Sequence, residues 1–283
     1  MTEATPAGMH GEPAGMLGMA PRRAHLLEYL CEFAGTAVIL LVGLSAAVFD
    51  FASSSPVPRA IPSAALRRLI TGAVTAGTAA AVVYSPIGRR SGGHFNPAGT
   101  LAFLRLGKVV RRDAVAYAVA QTLGALAGAS GVWLIWRGYA RSVHDGATLP
   151  GSHGVWVAFA SEVLIAFVLV TLILNFVARM QIAPYTAVAA ACLVTACVVL
   201  VGPISGSSLN PARSLGPAVM SATYRSLWVY LVAPPLGALV AAALYRGRQA
   251  RTTLCAKLYH DNTYPCPFVA CAYQASRVPE RST

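Results

Sequence analysis

Two asparagines, Asn96 and Asn210, have the side chains best suited to bind a small polar molecule. Each lies in the pattern Ser-Gly-x-x-apolar-Asn-Pro-Ala, and the two are 114 positions apart. An asparagine amide has two N–H donors, so two amides at one point can both donate to a water or polyol oxygen. A single Asn-Pro-Ala is typical of a capped surface turn. Two copies in matching contexts within an apolar chain favour a paired site.

The residues around each triplet predict the start of a short helix. Asn is a favourable N-cap, and Pro loses no useful N–H at the first helical position. The runs that follow, Ala98 to Leu106 and Ala212 to Ala222, are two or three turns long, which is too short to span a bilayer. We predict two half-helices, each preceded by non-helical backbone at Gly88 to Phe95 and Gly202 to Leu209.

Two acidic residues, Glu32 and Glu162, lie deep in apolar segments, 130 positions apart. Ionisable groups at membrane depth are costly and usually functional. One interpretation is therefore a gradient-coupled secondary transporter in which these acids carry protons. Their symmetric placement also fits a structural role.

A third group of chemically active residues lies in the C-terminal tail: Cys255, His260, Cys266 and Cys271. Three thiols and an imidazole could bind zinc, but their spacing lacks the close cysteine pairs of common zinc sites. We therefore predict no metal and no cofactor, and interpret the segment as a partly ordered tail. Palmitoylation of Cys255 near the membrane is a further alternative.

The elements that must position these residues are membrane-spanning helices. Of the 283 residues, 56% are hydrophobic and 11% are charged, and the mean hydropathy is +0.59. A soluble domain carries about 25% charged residues. The net charge of +12 falls in loops between apolar segments, and no nucleic-acid-binding motif is present. We predict an all-α membrane protein and expect no nucleic-acid partner.

The apolar segments predict six spans, at about 28–49, 64–85, 114–136, 155–178, 185–201 and 227–245. Six spans place both termini on one side of the membrane. If that side is the cytoplasm, the inner segments hold 15 of the 22 Lys and Arg residues and the outer segments hold seven. Because inner loops are enriched in Lys and Arg, we predict cytoplasmic termini.

The two halves of the chain repeat each other. Residues 120–126 in the third span are echoed by residues 233–239 in the sixth, as Glu32 is by Glu162. A repeat after an odd number of spans is inverted, and such repeats place the functional site near the bilayer midplane. We predict a disordered tail at 1–24, a channel domain at 25–248 (repeats about 25–136 and 155–248) and a cysteine-rich cytoplasmic tail at 249–283.

These features resemble the aquaporin, or major intrinsic protein, family, whose signature is a pair of Asn-Pro-Ala half-helices. The resemblance covers roughly Glu28 to Tyr245 and leaves out both tails. It implies the aquaporin-like fold, a homotetramer in the plasma membrane and no enzymatic activity. The pore motifs that it implies are Asn96, Pro97, Ala98, Asn210, Pro211 and Ala212.

The resemblance also implies structural roles for several polar residues. Family members use the two acids, here Glu32 and Glu162, as acceptors for backbone N–H groups of the pore-forming loops. Gln121 and His94 are expected to brace the same loops. His94 could instead act as a pH gate, because its unperturbed pKa lies near neutrality.

Arg213 follows the second triplet and matches the arginine of the family's outer selectivity filter, where it opposes cations. Offsets from the two asparagines assign the other three filter positions to Ala76, Val198 and Ser207. Water-selective members usually carry Phe and His at the first two, so this filter should be wider and resembles the nodulin-like branch. A one-residue slip in the second span would replace Ala76 by Thr75 or Gly77.

The sequence thus predicts a passive channel for water and small uncharged solutes such as glycerol, urea and boric or other undissociated metalloid acids. Ions and protons should be excluded, because two positive half-helix ends meet at the centre. The expected partners are these solutes, the lipid bilayer and further copies of the chain. The alternatives are a water-selective channel and, more distantly, the secondary transporter.

Overall fold

The computed structural model describes residues 25–248 and 255–275, and these residues form helices joined by short loops. The helices are, in chain order, α1 (Leu26–Phe51), α2 (Val57–Ala60), α3 (Ala64–Tyr84), α4 (Pro86–Ser91), α5 (Pro97–Arg105), α6 (Arg111–Ser142), α7 (Val155–Val177), α8 (Thr186–Leu200), α9 (Gly202–Ser205), α10 (Pro211–Met220), α11 (Leu227–Arg248) and α12 (Ala272–Ala275). The predicted disorder of 1–24 falls outside the described residues.

Among the described residues, six helices are long and apolar enough to cross a membrane: α1, α3, α6, α7, α8 and α11. This confirms the predicted all-α architecture with six spans. The third span is longer than expected, because α6 has 32 residues and extends to Ser142. It bends at Arg137, where φ is +26°. The loop after α1 also contains the short helix α2.

The two repeats are α1, α3, α5 and α6 in the first half and α7, α8, α10 and α11 in the second. In the first repeat α1 packs on α6, and in the second α7 packs on α11 in the same way. Helices α3 and α8 pack against each other across the junction of the repeats. We call the side of the molecule at which α1 begins and α11 ends the terminal face.

Small residues allow these helix pairs to approach at backbone distance. A Cβ atom on Gly124 would lie 2.3 Å from the Phe33 carbonyl oxygen, and one on Gly237 would lie 2.2 Å from that of Val163. Both distances are shorter than any real contact. Close crossing of this kind is how membrane helices gain packing energy, since lipid supplies no hydrophobic driving force between them.

The segments before the half-helices are partly helical, which corrects the sequence prediction. Gly88 to Phe95 and Gly202 to Leu209 were expected to be non-helical, but their first parts form α4 and α9. The physical reason is that every helical turn satisfies backbone groups internally where no water is available. Only residues 92–95 and 206–209 remain outside regular structure.

The close approach at Gly124 gives a test of the fold. Gly124→Ala should lower the free energy of unfolding by about 1–3 kcal/mol, the usual cost of overpacking a tight contact. Chemical or thermal unfolding in detergent measures the change. Gly138→Ala is the matched control on the same helix, because nothing lies within 4 Å of its added Cβ. Equal effects of the two substitutions would contradict the predicted packing.

Candidate functional site

Two four-residue segments, 92–95 and 206–209, lead into the half-helices with the same backbone pattern. Positive φ angles occur at the first, second and fourth positions of each: 100°, 72° and 47° at Gly92, Gly93 and Phe95, and 82°, 50° and 56° at Gly206, Ser207 and Leu209. The left-handed conformation costs roughly 1–2 kcal/mol for a residue with a side chain. Surrounding contacts must therefore hold both segments in place.

Glu32 on α1 holds the first segment. Its Oε1 accepts a hydrogen bond from the His94 N–H at 3.1 Å, and its Oε2 accepts one from the Phe95 N–H at 2.7 Å. Gln121 Nε2 also donates to Oε2 at 2.7 Å and to Thr100 Oγ1 at 3.2 Å. The carboxylate thus supplies acceptors for backbone that has no helical partners.

Glu162 on α7 holds the second segment in the same way. Its Oε1 accepts from the Ser208 N–H at 2.8 Å, and its Oε2 accepts from the Leu209 N–H at 2.9 Å. Ser205 Oγ donates to Oε1 at 2.7 Å. Both glutamates have 0% exposure, so neither carboxylate reaches water directly.

Two buried tyrosines that the sequence analysis missed brace the short helices. The hydroxyl of Tyr117 donates to the Ser91 carbonyl oxygen at 2.6 Å, and that of Tyr230 donates to the Ser205 carbonyl oxygen at 2.7 Å. The tyrosines are 113 positions apart, the same offset as the echo between the third and sixth spans. Extending that echo by three residues would have identified them.

The amides of Asn96 and Asn210 cap the half-helices and bridge the two repeats. Each Oδ1 accepts from a backbone N–H of its own helix, that of Ala98 at 2.9 Å and that of Ala212 at 3.0 Å. Each Nδ2 donates to the opposite segment: Asn96 to the Leu209 carbonyl oxygen at 2.9 Å and Asn210 to that of Phe95 at 2.8 Å. A primary amide has two N–H groups, so one remains on each side chain for another acceptor.

A cavity of about 220 Å³ passes both asparagines. All four residues assigned to the filter by offset line it: Ala76, Val198, Ser207 and Arg213. Thr75 lines it as well. Gly77 is exposed and does not line the cavity, and an added Cβ there would meet nothing within 4 Å. The Ser207 hydroxyl is buried and has no hydrogen-bond partner among the described residues.

Arg213 is positioned by the loop that joins the two repeats. Its Nη1 donates to Thr148 Oγ1, and Ser214 Oγ donates to the same oxygen at 2.9 Å. The loop is anchored in turn by the Gly151 N–H, which donates to the Ile204 carbonyl oxygen at 2.9 Å. The sequence analysis missed Thr148, because nothing in the sequence links a loop threonine to an arginine 65 positions later.

His94 contacts the C-terminal tail as well as its own half-helix. Its Nδ1 lies 3.0 Å from Thr100 Oγ1, and its Nε2 lies 2.9 Å from the Ala256 carbonyl oxygen. The imidazole stacks on the Phe268 ring with centroids 5.2 Å apart. Leu258, two residues beyond Ala256, lines the cavity. The tail therefore lies across the cavity mouth at the terminal face.

The structure also brings four tail side chains together, which we call the tail cluster: Cys255, His260, Cys266 and Cys271. Their potential ligand atoms all lie within 4.8 Å of one another. Hydrogen bonding with the Cys255 thiol lowers the pKa of Cys266 and that of Cys271. The prediction that this segment binds no metal rested on sequence spacing alone.

Comparisons of the sequence with a family profile and with individual proteins agree with each other. The sequence profile described as Major intrinsic protein matches residues 20–245. Aquaporin NIP1-1 of Oryza sativa subsp. japonica is 34% identical over 229 residues, which cover 81% of this chain and 76% of that protein. Nodulin-26 of Glycine max is 34% identical over 176 residues, which cover 61% of this chain and 63% of that protein.

A solved structure shares the fold. The aquaglyceroporin from Plasmodium falciparum, determined by X-ray crystallography, matches with a TM-score of 0.66. The match covers 78% of this chain and 96% of that chain, at 22% sequence identity. At that identity the likeness concerns the arrangement of helices.

The bracing role of the buried carboxylates can be tested at Glu162 by measuring the stability of a variant. Glu162→Gln places an NH₂ group against a backbone N–H of the second segment and removes the charge that both bonds use. Hydrogen bonds to charged groups contribute about 1.5–3 kcal/mol each, so we expect a loss of that order in unfolding free energy in detergent.

The matched control is Glu28→Gln on α1, where the partly exposed carboxylate lies 3.4 Å from Arg90 Nε. An ion pair of this kind contributes about 0–1 kcal/mol. If both variants lost the same stability, the bracing role of Glu162 would be wrong.

Proposed function

Because the chain belongs to the major intrinsic protein family, we propose that it is a passive channel for water and small uncharged solutes. Members of this family are channels, which confirms that the chain is not an enzyme. The solutes that we propose are glycerol, urea and boric or other undissociated metalloid acids. One observation carries this proposal: a mostly apolar cavity has most of its polar groups at the two half-helix ends and at Arg213, with Thr71 and Thr75 on α3 as further polar lining residues.

These polar groups suit a neutral solute that exchanges its hydrogen bonds with water for bonds with the wall. The free N–H of each asparagine amide can donate to a hydroxyl or water oxygen. The unpartnered Ser207 hydroxyl can donate or accept, and Arg213 adds further donors. The intervening apolar wall forms no bonds that would hold the solute.

The same site opposes cations. The N-termini of α5 and α10 meet at the asparagines, and each helix end carries about half a positive elementary charge. Arg213, which also lines the cavity, adds a full positive charge. A hydrated proton or sodium ion would meet both, with no described carboxylate lining the cavity to offset them.

The transporter alternative would need a carboxylate that gains and loses protons during transport. Both oxygens of Glu32 and of Glu162 already accept backbone hydrogen bonds. Protonation would place an O–H against an N–H donor and release a strained segment. This arrangement supports the bracing role and a passive pore.

We further infer that both termini face the cytoplasm and that the channel functions as a homotetramer in the plasma membrane. The distribution of Lys and Arg supports the orientation. The family relationship supports the tetramer and the location.

The channel proposal predicts the response of proteoliposomes in stopped-flow light scattering. An impermeant osmolyte should cause fast shrinkage, and glycerol, urea or boric acid should cause shrinkage followed by fast re-swelling. Fast shrinkage without re-swelling would instead indicate a water-selective channel. The assay also includes a chain that ends at Arg248, because the tail lies across one mouth. Fluxes at the lipid background for both chains would contradict the proposal.

The filter proposal predicts the effect of bulk at Ala76 and Val198. Ala76→Phe with Val198→His should narrow the cavity and reduce glycerol flux about tenfold or more, since each 1.4 kcal/mol of added barrier is about tenfold in rate. Water flux should fall less. Thr75→Phe with Val198→His is the matched variant. A larger loss of glycerol flux relative to water flux in that variant would assign the filter position to Thr75 instead of Ala76. Equal loss of water and glycerol in both would exclude this filter.

A further inference from the structure

The tail segment 255–273 is built into the channel rather than lying apart from it. The Leu258 N–H donates to the Gly92 carbonyl oxygen at 2.9 Å, and the Val269 N–H donates to that of Lys108 at 3.0 Å. Arg89 on α4 forms a salt bridge with Asp261 at 3.0 Å. These contacts link the tail to segment 92–95, to α4 and to the loop after α5.

The segment has little regular structure of its own to maintain this position. Between residues 255 and 275, which the structure describes, the chain forms one four-residue helix, α12. Yet Cys255, Lys257 and Cys271 have at most 6% exposure. A segment this short rarely folds by itself without a disulfide or a metal, and here Ala256, Leu258 and Phe268 also pack into the apolar core of the channel. Within residues 25–248 and 255–275 no disulfide joins the cysteines, so a cross-link of that kind does not supply the constraint.

The tail cluster has the geometry of a four-coordinate metal site. Cys255 Sγ lies 3.6 Å from Cys266 Sγ and 3.3 Å from Cys271 Sγ. His260 Nε2 lies 3.2 Å from Cys271 Sγ. A tetrahedral zinc ion with Zn–S bonds of about 2.3 Å separates its sulfur ligands by about 3.8 Å. The two sulfur separations need shifts of no more than about half an ångström to match, and all the potential ligand atoms lie within 4.8 Å of one another.

The surroundings also suit a zinc–thiolate centre. The Lys257 N–H donates to Cys255 Sγ at 3.5 Å. The buried Lys257 ammonium donates to the carbonyl oxygens of Arg89 at 2.6 Å and Tyr264 at 3.3 Å. Three thiolates and one neutral imidazole around Zn²⁺ carry a net charge of −1, which this ammonium offsets. The His260 ring stacks on Tyr273 with centroids 4.5 Å apart.

We propose that the tail cluster binds one Zn²⁺ ion and that this ion fastens residues 255–273 across the mouth of the channel at the terminal face. Soft thiolate ligands with one imidazole select zinc over magnesium or calcium. Four protein ligands leave no open position, so the ion is structural. Leu258 lines the cavity at this mouth, so the fastened tail narrows the path, and loss of zinc releases it. Zinc binding stands independently of the proposed channel function, whereas the effect on flux rests on it.

Zinc binding is tested on the purified full chain. After removal of metal and exposure to zinc chloride under reducing conditions, mass spectrometry should find about one zinc per chain. Cobalt(II) in its place should show the visible absorption of a tetrahedral thiolate site. Cys271→Ser should lower zinc affinity at least about tenfold, because a ligand is lost. Cys192→Ser is the matched control, since that thiol is exposed on α8 outside the cluster.

Three results would overturn the zinc site. They are a wild-type chain that takes up no zinc, a Cys271→Ser chain that binds as tightly as wild type, and a disulfide within the cluster of the reduced, zinc-treated protein. Each is read from metal content or thiol chemistry alone. A failure of the channel proposal therefore cannot be mistaken for a failure of the site.

The fastening is tested by water flux. A zinc chelator should raise the permeability of wild-type proteoliposomes severalfold, and added zinc should restore the lower value. Cys271→Ser should show the raised permeability throughout, and Cys192→Ser should behave as wild type. Stoichiometric zinc with permeability unchanged by chelation would overturn the fastening. Lipid-background flux in every sample, including the chain ended at Arg248, would reject the channel while metal content still decided the site.

Discussion

Backbone N–H groups at membrane depth must find acceptors, and the rest of this structure depends on how two glutamates meet that need. Segments 92–95 and 206–209 contain residues with left-handed backbone angles, so their N–H groups cannot be paired within a regular helix. Each is fastened by one buried carboxylate that accepts two successive N–H groups. Without water, each unmet group would cost several kcal/mol. The carboxylates therefore hold the segments that lead into the half-helices, and Asn96 and Asn210 cap the helices themselves.

Once the segments are fixed, the bonds between the repeats follow. Each asparagine amide caps its own helix and donates to a carbonyl oxygen of the opposite segment, so the two half-helix ends are joined at one level. The tyrosines of α6 and α11 brace the preceding short helices. Because the bracing groups use most of their capacity inside the protein, the few donors that remain face the cavity. A neutral solute can accept hydrogen bonds from these donors, and the proposed selectivity depends on their small number.

At the terminal face, hydrogen bonds also hold the tail to the first segment. His94 contacts the first half-helix through one ring nitrogen and the tail through the other, so tail position and pore geometry are mechanically connected. A metal centre at the tail cluster would add to the apolar contacts that Ala256, Leu258 and Phe268 make with the channel. The second repeat has no such cover among the described residues. There the loop with Thr148 holds Arg213 instead, which makes the two mouths chemically different despite the repeat.

The sequence by itself determined the six spans, the paired half-helices and the inverted repeat, because periodic apolar runs and duplicated motifs are local properties that the bilayer constrains strongly. Asn96, Asn210, Glu32 and Glu162 were identifiable for the same reason. Only the tertiary structure decided that α4 and α9 are helical, that Thr148 meets Arg213 and that four tail side chains converge. The last two features depend on contacts between residues distant in the chain, whose partners no spacing rule specifies, whereas α4 and α9 form because helical turns satisfy backbone groups where water is absent. The tail shows this most clearly, since its spacing argued against a metal and its folded geometry argues for one.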